Sequence, residues 1–158
     1  MRRSMTWTET RKPHPRVGED GSASLEFLTA GLILLVPIVY LIVSLNVVQS
    51  HAFAAQATAR HAARAIATAT DAAHADTRAA TIAEAVAAEY AVAPESLALA
   101  VECAGAGPCP RAGQNIRVTV QTEAALPLAP PVLGLDRIAR VPIEASAVQR
   151  MPRLWGEP

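Results

Sequence analysis

Aromatic side chains make up only 4% of this 158-residue chain, against 51% for apolar residues as a whole. The difference is largely alanine, which supplies 34 residues and buries little area per side chain. A large aromatic-lined enzyme core is therefore not expected. Cysteine occurs twice, which excludes a disulfide-dense mini-protein and a four-cysteine zinc module. Neither sign of charge is in excess. Lys+Arg 14 balance Asp+Glu 14, so nothing marks nucleic acid as a partner. The histidines, His14, His51, His61 and His74, form no His-x3-His pair and no HExxH motif. His61 and His74 stand in alanine-rich sequence and are expected to face solvent. Asp71 and Asp76 beside His74 read more simply as helix caps than as metal ligands. A G-x-S-x-G elbow, a phosphate loop and a Rossmann glycine pattern are all missing. The expectation is a chain that is not an enzyme and has no metal, no cofactor and no small-molecule substrate.

What is present begins with Phe27–Val48, a run of 22 residues without a charge. At about 1.5 Å per residue such a helix spans a hydrocarbon core of roughly 30 Å. Its polar members, Thr29, Ser44 and Asn46, lie toward its ends, and Pro37 in its middle is expected to kink it. A buried core helix is the alternative, but the remaining chain is too small and too rich in alanine to enclose it. A secretory signal peptide is another. Its apolar region would be shorter and would lead directly into a small-residue cleavage site. Arg2, Arg3, Arg11, Lys12 and Arg16 precede the run, and only Arg60 and Arg64 follow it closely. That asymmetry predicts a cytoplasmic N-terminus and an extracytoplasmic body.

The junction before the run reads Glu19-Asp20-Gly21-Ser22-Ala23-Ser24-Leu25-Glu26-Phe27. A glycine closes the charged leader, and a glutamate stands at the mouth of the apolar helix. A carboxylate there is unfavourable if it enters hydrocarbon, and a plain anchor gains nothing from it. The arrangement resembles the processing site of type IV prepilins. The resemblance implies that a membrane peptidase cuts between Gly21 and Ser22, and that Glu26 becomes the fifth mature residue. Cleavage would create an ammonium at Ser22, and the Glu26 carboxylate of a neighbouring subunit could meet it. Such a desolvated pair favours one stagger between helices over others.

Beyond the apolar run, no glycine or proline occurs between Pro37 and Pro94. Residues 49–93, dense in alanine, are expected to be helical. Ile82, Val86 and Tyr90 form an apolar stripe that Phe53 and Ile66 extend earlier. A break is expected near residues 70–77, with Asp76 or Thr77 capping a second helix. Past Pro94 the period changes to two. Leu97/Leu99/Val101, Ile116/Val118/Val120 and Ile143/Ala145/Ala147 read as three strands of a small antiparallel sheet in residues 94–150. Pro142 assigns the last strand to an edge or a bulge. Leu126–Pro131 reads as a connecting loop, and residues 151–158 as a frayed tail. Cys103 and Cys109 flank a short loop with glycines at 105 and 107. With the body outside the cytoplasm they are expected to form a disulfide, contributing about 2 kcal/mol on a chain-entropy estimate.

The whole layout resembles the TadE/TadG-like minor pseudopilins of tight-adherence (Flp) pilus machinery. The features that carry it are a leader over residues 1–21, a Glu26-led membrane helix over 22–48, the segment Ala59-Arg60-His61-Ala62-Ala63-Arg64-Ala65, and a β-rich end closing on Glu144-Ala145-Ser146-Ala147. The chain departs from that group in the central place of Pro37 and in having Asn46, not an acidic residue, near the helix exit. The resemblance implies a pilin-like α+β fold and a single-pass protein of the cell membrane that can enter a surface pilus. Its implied partners are a prepilin peptidase, other pilin subunits and the pilus secretion machinery. Two other readings use the same residues: an uncleaved anchor whose external body binds a partner, and a secreted protein released by signal peptidase.

Overall fold

The computed structural model describes residues 20–105, 107–127 and 139–156, with the backbone alone for 20–22. Most of the leader, Ala106 in the cysteine loop, residues 128–131 of the connecting loop and the last two residues therefore lie outside the described residues. In chain order the elements are helix α1 (Asp20–Ala67), helix α2 (Ala72–Glu89), a 3-10 turn (Pro94–Ser96), and strands β1 (Ala98–Cys103), β2 (Asn115–Ala125) and β3 (Arg140–Arg150). The class is α+β, with the strands where the period-two pattern puts them. The chain divides into two compact units, residues 1–39 and 40–158.

In the first unit, the described part of α1 is exposed at every position from 23 to 39. Phe27 is 78% exposed and Ile33 70%. A core helix would be covered, so for these residues the buried-helix alternative is set aside. Among the described residues, α1 is the one helix long and apolar enough to cross a membrane. It continues through Pro37, although proline donates no N–H to the carbonyl one turn back.

The second unit is built on small side chains. Ala54, Ala55, Thr58, Ala59, Ala62, Ala63 and Ile66 of α1 are buried, repeating at the three- and four-residue spacing of one helix face. The alanines and Ile66 join Ala75, Ala79, Val86 and Ala87 of α2 and Ile116, Val118 and Val120 of β2 in a single core. Alanine on the helix side lets the backbone approach closely, so the branched residues of β2 fill the volume. Phe53 does not extend the buried stripe. It is 54% exposed, because its position falls beside the Ala54/Thr58/Ala62 face. It meets Tyr90 instead, with ring centroids 6.5 Å apart.

Helix α1 ends at Ala67, and α2 begins after Asp71, whose backbone is extended and whose Oδ1 accepts the His74 N–H at 2.8 Å. Asp71 is therefore the cap, and Asp76 and Thr77 lie inside α2. Thr77 bonds back through its hydroxyl to the Ala73 carbonyl at 3.0 Å, a partner that exists only once the helix has already started. At the other end Ala91 adopts φ 53, and the Val92 N–H returns to the Ala87 carbonyl at 2.9 Å. This closes the helix in a Schellman-type turn with alanine in the usual place of glycine.

The sheet order is β1-β2-β3, antiparallel throughout and without a bulge. Even-numbered residues of β2 face the helices and are buried, and its odd-numbered residues face away. The outer face carries polar ladders: Arg140–Glu123 at 3.4 Å, Gln121 to Glu144 at 3.0 Å and Arg117 to Ser146 at 3.3 Å. The Leu126 N–H bonds the Ala139 carbonyl, and the Met151 N–H bonds the Gln114 carbonyl. By strand alternation the backbone groups of Pro142 therefore point to the free edge. That is where a residue without an N–H costs no ladder bond. The chain after β3 is not frayed as far as it is described. Met151 is buried, and the Trp155 indole N–H donates to the Ile66 carbonyl at 3.1 Å.

Candidate functional site

The junction residues occupy the start of α1. Gly21 and Ser22 are helical in backbone, and their side chains lie outside the described residues. A helix's first turn has N–H groups with no intrahelical partner, so it is the turn that unwinds at least cost. A peptidase that needs an extended Gly21–Ser22 bond would find it there. Glu26 follows one turn later, exposed, beside a shallow hollow that Leu25, Thr29, Ala30 and Ile33 also line. Thr29 donates its hydroxyl proton to the Leu25 carbonyl at 2.7 Å, and Glu26 is the charged residue among those that line the hollow. Among the described residues Glu26 makes no ion pair. Severing the chain at Gly21 would make Glu26 the fifth residue of the remaining chain, one turn from the new N-terminus at Ser22.

Cys103 and Cys109 are joined as a disulfide, with Cα atoms 5.7 Å apart. Cys103 ends β1, and the loop returns through Gly105 and Gly107, both at positive φ. The Gln114 amide donates to the Ala104 carbonyl, fastening the loop to the start of β2. This is a staple on a hairpin. Among the described residues no three His, Cys, Asp or Glu side chains come together to hold an ion.

The histidines separate by place. His61 and His74 are exposed, as expected. His74 lies 3.8 Å from the Asp71 carboxylate. The Asp71 carboxyl is held below its ordinary range, first by the His74 N–H and then by the Thr70 hydroxyl and the His74 ring charge. His51 stands apart. Its Nδ1 lies 3.0 Å from the Thr122 hydroxyl, and burial lowers its pKa from 6.5. This helix-to-strand contact was not legible in the sequence, because no local pattern links positions 71 residues apart. On the far side of the α1–α2 corner, Arg64, His61, Thr68 and Arg78 surround an open hollow. Arg78 is spent on the Thr68 carbonyl and hydroxyl, both at 3.2 Å.

No known protein family, curated protein or solved structure matches the chain.

Proposed function

We propose that this chain is a membrane-anchored, TadE-like minor pseudopilin, a structural subunit that a prepilin peptidase processes and that helps assemble an adhesive Flp-type pilus or a related secretion filament. The observation that carries the reading is the junction. A glycine and, five residues on, an exposed glutamate head a helix whose apolar surface no part of the described chain covers from 23 to 39. Uncovered apolar surface of that extent calls for lipid or other helices. A carboxylate at its mouth calls for a cation. Hydrolysis of the Gly21–Ser22 bond supplies one: water adds across the amide, Gly21 leaves as a carboxylate and Ser22 keeps an ammonium. In this reading the N-terminus is cytoplasmic, the body is extracytoplasmic and disulfide-stapled, and the chain is a substrate and not a catalyst. Gly21 sits before the scissile bond because a side chain there would obstruct the peptidase pocket.

The test is processing. Co-expressed with a prepilin peptidase, the natural chain is expected to begin at Ser22 by N-terminal sequencing of the membrane fraction. The Gly21→Trp variant is expected to keep its leader and run as the heavier species. Equal processing of both chains would defeat the assignment. The second reading, an uncleaved anchor with a partner-binding body, draws on the helical backbone at Gly21–Ser22, which is not the extended form a protease takes. It predicts a natural chain that still begins at Met1. A start beyond residue 50, with no membrane pool, would mean release by signal peptidase.

A further inference from the structure

We propose that the body of this protein binds a second copy of itself, the basic hollow between α1 and α2 of one copy receiving the acidic flank of α2 of the next. Every residue the inference uses lies in the second unit, so it stands whether or not the leader is cut.

Helix α2 shows a different charge on each flank. On one side it borders the hollow at the α1–α2 corner, where His61, Arg64 and Arg78 stand beside Thr68, Thr81 and Ile82. Among the residues lining that hollow, the ionisable ones are all basic. On the other side α2 borders a second hollow, against β1. Its charged residues are Asp76 and Glu84, set around Leu97, Leu99 and Val101. At about 3.6 residues per turn, Arg78 and Thr81 fall on the opposite side of the buried Ala75/Ala79/Val86 stripe from Asp76 and Glu84. The chain as a whole carries no net charge, so one flank of α2 can supply what the other lacks. Each hollow also has an apolar part, and an apolar centre inside a charged rim is the make-up of a protein–protein interface.

These charges are not neutralised within the chain. Among the described residues the ion pairs are His74–Asp71 and Arg140–Glu123, which leaves Arg64, Arg78, Asp76 and Glu84 without an oppositely charged partner. All four are exposed. Arg78 reaches the Thr68 carbonyl and hydroxyl through Nη1 alone, so its Nη2, its Nε and its charge remain for a partner. The charges also match in height. Tyr90 meets Phe53 and Arg78 meets Thr68, so α2 runs antiparallel to α1. Interpolated between those two contacts, His61 lies level with Glu84 and Arg64 level with Thr81. Asp76 lies about 3 Å along the axis from Arg78. A second copy set beside the first in the same direction therefore brings its Glu84 to Arg64 and His61, and its Asp76 to Arg78. The two hollows are different surfaces, so the contact is heterologous. A pair keeps one free hollow of each sign, and further copies add until a ring closes or an open chain grows.

The experiment uses the full chain in micelles of an uncharged detergent and reads self-association by sedimentation. The natural chain is expected to associate at low salt and to separate near 1 M salt, where the screening length is about 3 Å. Arg64→Glu and Glu84→Arg are each expected to weaken the association about tenfold or more. The double variant, with the two charges exchanged, is expected to recover it. Circular dichroism confirms that each variant keeps its helix content, and Glu84→Gln, the milder change, is expected to weaken association in the same direction. Association that survives the single reversals overturns the pairing and passes to other surfaces, the bare apolar part of α1 among them. A double variant that stays as weak as the single ones also overturns it. A natural chain that is monomeric at low salt overturns it too, and leaves the basic hollow to an acidic segment of another protein.

Discussion

His51 shows how one side chain joins two elements. Its Nδ1 meets Thr122 across the helix–strand contact, and burial, not a charge, depresses its pKa from 6.5. The folded chain therefore prefers the neutral ring, and the unfolded chain takes up a proton first as pH falls. The stability associated with the neutral ring is fully present above about pH 6.5 and is lost as pH falls toward the lower, folded value. The contact is compatible with either charge state, because the Thr122 hydroxyl can donate to a bare Nδ1 or accept from a protonated one. Thermal unfolding of the natural chain in detergent is expected to show a melting temperature that drops between about pH 7.5 and about pH 5. In the His51→Gln variant that part of the pH slope is expected to vanish. An unchanged slope would mean that another group sets it.

Among the elements, α2 illustrates how much of a helix is visible locally. Its body was legible, since alanine favours helix and Ile82, Val86 and Tyr90 recur at helical spacing. Its start was misplaced by several residues. Asp71, Asp76 and Thr77 are all capping residues by type, and the choice fell to Asp71 because α1 stops at Ala67 and the extended turn between them ends there. Its end was hidden for a different reason: Ala91 sits at φ 53 without the glycine that would have announced it. That geometry predicts a gain. Ala91→Gly removes the steric cost of a left-handed alanine but adds unfolded-state freedom, for a net stabilisation of about 0.5–1 kcal/mol. Urea unfolding in detergent would measure it, and a destabilised variant would contradict it. The strands were the most legible elements, because alternation of Ile116, Val118 and Val120 against polar neighbours has no helical reading.

For the whole molecule, the question is what α1 does once both its halves are considered, each in its own unit. Toward the N-terminus its apolar surface is bare, and toward the C-terminus its alanine face is built into a core. On the pseudopilin reading, Glu26 belongs to assembly and not to folding or cleavage. Glu26→Gln is then expected to insert in the membrane and be processed at Gly21 as the natural chain is. It is also expected to lose most cross-linking to neighbouring pilin subunits, because the neutral amide no longer meets the Ser22 ammonium. Retained cross-linking would assign the stagger to other contacts.

The linear order of residues was enough to locate the uncharged run, the change from helical to alternating periodicity after Pro94, the edge position of Pro142 and the two half-cystines. Each of these is a near-neighbour property: hydropathy over a window, spacing along one face, or a residue's missing donor. Which faces meet was settled only in three dimensions. Phe53 turned outward to Tyr90, Thr122 came to His51, and Trp155 reached back to Ile66 and tied down a segment that looked loose in one dimension. These pairings join residues 37 to 89 positions apart. They exist because packing a small-residue helix face against one side of a sheet leaves few ways to fill the space between, a constraint that no local stretch of sequence contains.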